Sequence, residues 1–199
     1  MTTRTVSTQA DLDAALADAG VSRIVIDSPA GVWLTVVTDR TDVTVGVVSQ
    51  SCLSGVGGTA TVSGVRDSAT VSDVWDSATV SDVRGSATVR GVRDSATVSD
   101  VGGSATVSDV GDSATVSDVR GSATVSDVWG SATVSGVRGS ATVRDVGGSA
   151  TVSDVWGSCA IVGVRDCASV LDVGPHVSVH VHSTQATVQG GHIIDLSRL

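Results

Sequence analysis

The chain has 199 residues, 41% of them hydrophobic, which is enough for one domain with a packed interior, and it carries a net charge of −9. Every acid is one of 21 Asp and every base one of 12 Arg, with no Lys, Glu or Asn; the acidic balance argues against direct nucleic-acid binding, which needs clustered cations to neutralise phosphate. No stretch reaches the ~18 apolar residues of a membrane span, and no apolar segment follows Met1-Thr2-Thr3-Arg4 as it would in a secretory leader, so a cytoplasmic protein without membrane contact is expected.

In chain order, the first element is "TQADLDAALADAG", residues 8–20. It reads as a short capping helix: Thr8 is the N-cap with Asp11 three residues on, Leu12, Ala15, Leu16 and Ala19 form an apolar stripe, and Gly20 ends it. "RIVID" (23–27) and "VWLTVV" (32–37) read as the first strands, separated by Ser28-Pro29-Ala30-Gly31, with Trp33 expected to pack under the helix.

From Thr59 to Pro175 one nine-residue word recurs thirteen times without insertion, and ten consecutive copies open on Ser-Ala-Thr-Val, at Ser68 through Ser149. A short fixed period is the mark of a solenoid, in which each unit buries its apolar face only by stacking on its neighbours. Within the word, Ala at position two and Val at four alternate with Thr at three and Ser at five, the period of a strand with one apolar and one hydroxyl face. Position seven is Val in every copy from Val65 to Val173, so four and seven are core positions. Asp at six and Gly or Asp at nine are turn residues able to adopt left-handed conformations. Position eight wanders among Arg, Trp and Gly, a range that no buried site accepts, so it is expected to face solvent.

A nonapeptide extends at most ~30 Å, too little to enclose a core alone, so two copies per coil are expected, an 18-residue rung of two facing strands stacked at ~4.8 Å. Three six-residue faces also total 18, but a nine-residue word does not divide into them. The fold class expected is all-β: a right-handed parallel β-solenoid with an N-terminal capping α-helix. The chain divides into a cap (1–40), the nonapeptide solenoid (41–175), and a C-terminal rung and cap (176–199) in which Pro175 breaks the pattern, "VSVHVH" continues as a strand, "ATV" at 186–188 returns to register and "HIIDLSRL" closes the last rung.

"IVIDSPAGVWL", Ile24 to Leu34, together with the Ser-Ala-Thr-Val copies, resembles GSATV-type nonapeptide-repeat β-solenoid proteins of actinobacteria and their phages. The resemblance covers most of the chain and implies a solenoid; it brings no activity with it.

No catalytic signature stands out. Without Lys there is neither a phosphate-binding loop nor a Schiff-base lysine, and no Gly-x-Ser-x-Gly elbow occurs, so no enzyme and no cofactor is expected. Cys52, Cys159 and Cys167 occupy small-residue positions of the repeat and read as free thiols. The metal candidates are weak: His180 and His182, two apart on a strand, with His192 or Asp195 as a third ligand and His176 out of reach. Calcium is disfavoured because Asp is followed directly by Val and Gly64, Gly91, Gly136 and Gly163 replace it in several copies.

Three functional readings follow. The preferred one is a structural rod that associates with itself or a protein partner through an end rung and through Trp75, Trp129, Trp156, Arg66, Arg84, Arg93, Arg120 and Arg138, all at position eight. The second is an acidic DNA mimic that inhibits a nucleic-acid enzyme, although residues 59–175 hold 14 Asp against 8 Arg, a modest imbalance. The third is ice binding through an unbroken Thr-x-Ser rank: Thr61/Ser63, Thr79/Ser81, Thr97/Ser99, Thr115/Ser117, Thr133/Ser135 and Thr151/Ser153. The opposite face is interrupted by Arg90, Arg144 and Val162.

Overall fold

The word folds as one tight arc. Ala at position two and Val at four and seven are buried from Ala60 to Val164, with Cys159 taking the Ala place and Ile161 the Val place in one copy. Strict alternation would turn position six inward after four; instead Asp at six has φ between 53 and 60°, a left-handed kink that sends six outward and seven into the core. Position nine repeats the device at the corner. There, Ala96 N–H donates to the Arg93 carbonyl at 3.1 Å, closing a turn whose first central residue, Asp94, has φ 56°. All fourteen aspartates of residues 59–175 have positive φ, a conformation that Asp tolerates better than most residues because its short side chain bonds locally.

In a computed structural model describing residues 2–197, these arcs stack into a parallel β-solenoid of about 11 turns. Its elements are β1 (Thr2–Val6), α1 (Gln9–Ala17), β2 (Val21–Ile26), β3 (Trp33–Thr38), β4 (Thr44–Val47), β5 (Cys52–Gly58), then twelve short strands from β6 (Thr61–Val65) to β17 (Ala160–Val164), and finally β18 (Ser169–Val181) and β19 (Thr187–Asp195). Each repeat strand pairs in parallel with the strand 18 residues away, as in Thr79↔Thr97 and Thr88↔Thr106, so alternate words form two opposite walls around a core of Ala and Val. Backbone hydrogen bonds continue around the corners: Arg84 N–H donates to the Val65 carbonyl at 2.9 Å and Ser86 N–H to the Asp67 carbonyl at 2.8 Å. One sheet includes the strands on both sides of residues 40 and 175. No described helix is long and apolar enough to cross a membrane.

The cap differs from expectation in three respects. A strand, β1, precedes the helix and pairs in parallel with β2, so the strands at 21–26 and 33–38 are not the first. The helix has the expected N-cap, with Asp11 N–H donating to Thr8 Oγ1 at 3.2 Å, but it ends at Asp18, and Ala19 is exposed. Leu12 and Ala15 are fully buried over the first coil, with Leu16 packed beside them. Trp33 is 50% exposed rather than lying under the helix: Leu34 and Val36 point into the core, so strand alternation turns Trp33 outward.

Two polar side chains finish the cap. The Gln9 amide meets the open edge of β3 as a neighbouring strand would, accepting from Thr35 N–H at 2.8 Å and donating to the Thr35 carbonyl at 3.1 Å. Arg40 Nη1 donates to the Leu16 and Asp18 carbonyls, both at 2.9 Å, covering the exposed C-terminal carbonyls of α1, while Nη2 reaches the Val21 carbonyl at 3.1 Å.

At the far end β18 is one 13-residue strand that turns the corner through Pro175, and the later part of the tail returns as β19 with Thr187 opposite Ser169 and Val188 opposite Val170. Val181, Ala186, Val188 and Ile193 line a hollow of about 360 Å³ in this last coil, and Ile193 is 48% exposed.

Candidate functional site

The hydroxyl rank is built by register alone. Thr61, Thr79, Thr97, Thr115, Thr133 and Thr151 stand opposite one another through successive pairings, with Ser63, Ser81, Ser99, Ser117, Ser135 and Ser153 beside them. All twelve side chains are half-buried, spaced by one coil, ~4.8 Å. Among the described residues none of the twelve hydroxyls makes a side-chain hydrogen bond within the chain. On the other wall Arg90 and Arg144 stand exposed in the Ser place and Val162 half-buried.

Position eight separates into two ranks. One wall carries Arg66, Arg84, Gly102, Arg120, Arg138, Trp156 and Gly174, the other Gly57, Trp75, Arg93, Gly111, Trp129, Gly147 and Arg165, in successive coils. The sequence-derived interaction residues therefore do not form one patch: Trp75 and Trp129 lie on one wall, three coils apart, and Trp156 on the other. The five arginines proposed for interaction are all exposed. Arg66 and Arg84 both hold Asp82, at 3.1 and 2.8 Å, and Arg120 holds Asp118 at 2.7 Å. Exposed pairs of this kind contribute little stability, but they neutralise the position-six carboxylates locally.

The tryptophans follow a rule that the sequence does not display. Trp129 lies over Gly111, one coil back, so closely that a Cβ there would fall 2.5 Å from its Cζ2; Trp156 lies over Gly174, one coil forward, at 2.8 Å from Cε3. Trp75 lies over Gly57 and Gly55, where a Cβ on Gly55 would fall 2.7 Å from Cη2. Each indole thus covers a glycine of the adjacent coil, and direction follows chemistry: Trp75 and Trp156 turn away from Arg93 and Arg138 toward the side where glycine stands. Gly111 and Gly174 are buried in consequence, contrary to the expectation that position eight always faces solvent, and Trp75 is only half-exposed. Trp129 and Trp156 remain 44% and 50% exposed.

The position-nine carboxylates have a structural task. Asp76 accepts from Gly58 N–H at 3.0 Å, Asp94 from Asp76 N–H at 3.3 Å, Asp112 from Asp94 N–H at 3.4 Å and Asp166 from Gly148 N–H at 2.9 Å. Each side chain thereby satisfies a corner N–H of the coil before it.

The histidine pair turns outward, alternating with the buried Val179 and Val181. Position six is missing from this stretch, since Val181 pairs with Val164 and Val179 with Ile161. His180 is a half-buried position-five residue, and His182 falls exposed in the position-eight rank, one coil from Arg165. No group of three potential metal ligands occurs among the described residues. Cys52, Cys159 and Cys167 are all free; Cys159 is buried with its Sγ 3.2 Å from the Trp156 carbonyl, and burial pushes its thiol pKa up. In the cap, the Arg40 hydrogen bonds hold the Asp42 carboxyl below the usual carboxylate range.

No family model, no curated protein and no solved structure matches this chain.

Proposed function

We propose that the protein is a non-enzymatic structural rod that associates with copies of itself through indoles displayed on its walls. The observation that carries this reading is the exposure of Trp129 and Trp156, at 44% and 50%, on repeat walls whose other outward side chains are mostly short hydroxyls, Asp and Arg. Large exposed aromatics are the commonest anchors of protein interfaces. The position-nine carboxylates, turned back onto the chain's own amides, offer less support to a DNA mimic. Light scattering across a concentration series tests the proposal: the protein associates, and replacing Trp75, Trp129 and Trp156 with Ser weakens association. A strict monomer at millimolar concentration overturns it.

The uninterrupted Thr-x-Ser rank favours a second reading, ice binding, because six registered rungs of unpartnered hydroxyls present a regular, flat lattice of donors and acceptors. Thermal hysteresis of the purified protein, abolished by replacing Thr97 and Thr115 with large charged residues, is its test.

A further inference from the structure

The position-eight glycines are seats, and one is empty. Gly57, Gly111 and Gly174 are covered by Trp75, Trp129 and Trp156, while Gly147 is occupied by the Asp166 carboxylate, whose Oδ2 would lie 2.9 Å from a Cβ placed there. At Gly102 an added Cβ would meet nothing within 4 Å. The position opens into a notch of about 200 Å³ flanked by Arg84 and Arg120 in the coils before and after, with Asp100 and Asp118 alongside.

The chemistry of the notch suits an indole. Guanidinium planes attract aromatic faces, a bare glycine backbone admits a flat ring, and carboxylates accept an indole N–H. Arg120 is held by Asp118 at 2.7 Å and Arg84 by Asp82 at 2.8 Å, whereas Asp100 has no hydrogen-bond or ion-pair partner among the described residues and retains its full acceptor capacity.

One described indole has no glycine seat. Trp33 is 50% exposed and is not seated on any described glycine, and Val32 beside it and Val37 of the same strand are also exposed. Trp33 lies in the first coil on the opposite wall from Gly102, and nearly four coils, ~18 Å of stacking, separate them, so the two cannot meet within one molecule. We propose that Trp33 of one copy enters the Gly102 notch of a second copy. This rests on the self-association reading and adds a second contact to those of Trp129 and Trp156. Because seat and ring are different surfaces, the contact closes as a two-fold dimer if both are used reciprocally and otherwise propagates along a filament.

Sedimentation equilibrium of wild type, Trp33→Ser and Gly102→Arg tests this. Gly102 has open space around it and is not among the residues of positive φ, so an arginine there fills the notch without straining the coil; circular dichroism checks that each variant keeps its strands. The expected result is a loss of about tenfold or more in association constant for each variant alone. An equimolar mixture recovers a heterodimer, because each variant retains the half that the other lacks. A wild-type protein that associates equally with and without either substitution, or a mixture that shows no recovery, overturns the contact while leaving self-association standing; a monomeric wild type overturns both.

Discussion

The cap and the repeat solve the same problem in different ways. Between 59 and 173 every coil end is covered by the next coil, so one set of answers serves throughout: Ala and two Val inside, a left-handed residue at six and nine, hydroxyls outside. Between 2 and 47 the stack reaches an edge, and several of its open groups are met by residues used only once: Leu12 and Ala15 over the core, Gln9 on the β3 edge, Arg40 on the helix carbonyls. A periodic interior is thus robust through copying, whereas the end depends on a few singular residues.

The largest expected effect separates these regions directly. Leu12→Ala should cost about 2–5 kcal/mol and Val116→Ala about 2–3 kcal/mol, the value depending on how far the surroundings relax. Hydrogen exchange should locate them differently, with Leu12→Ala stripping protection from the first coils alone and Val116→Ala weakening the middle of the stack; uniform loss in both would erase the distinction.

Within the repeat, Gly111→Val should displace the Trp129 ring, shift its fluorescence to the red and cost about 1–3 kcal/mol, while Gly102→Val should leave stability within about 0.5 kcal/mol. Equal melting temperatures for the two would refute the seating rule. Smaller again, Asp94→Ala should cost about 1–2 kcal/mol, since it places a β-carbon without local hydrogen bonding at φ 56° and removes the acceptor for Asp76 N–H, whereas Asp94→Gly should recover the part due to φ.

The smallest effect belongs to the cap. The Asp42 carboxyl is held below its ordinary pKa, first by its hydrogen bonds from Arg40, so its contribution is complete above roughly pH 4 and falls away as pH drops through the lowered value. Thermal melts from pH 6 to pH 2 should show Asp42→Asn losing its deficit relative to wild type at the acid end. A deficit independent of pH would assign the residue a purely steric role.

Much of this architecture was legible before any coordinates. Val at position seven in every copy, the invariant spacing and Asp at six and nine together implied two words per coil and left-handed corners, because inward and outward positions in a stacked strand follow from period alone. The candidate surfaces were legible only in part. The Thr-x-Ser rank follows from register, but Trp75, Trp129 and Trp156 looked equivalent as free hooks, and Trp33 looked buried.

The sequence by itself determined the coil: a nine-residue pattern states which side chains must leave water and where the backbone must turn. Only the tertiary structure decided what lies one coil away. Whether an indole turns toward Gly57, Gly111 or Gly174, that Gly102 stays uncovered, and that Gln9 completes a strand edge 26 residues distant all depend on neighbours brought together by stacking. Local preferences act over a few bonds and carry no information about a contact made 18 residues away until the coil has closed.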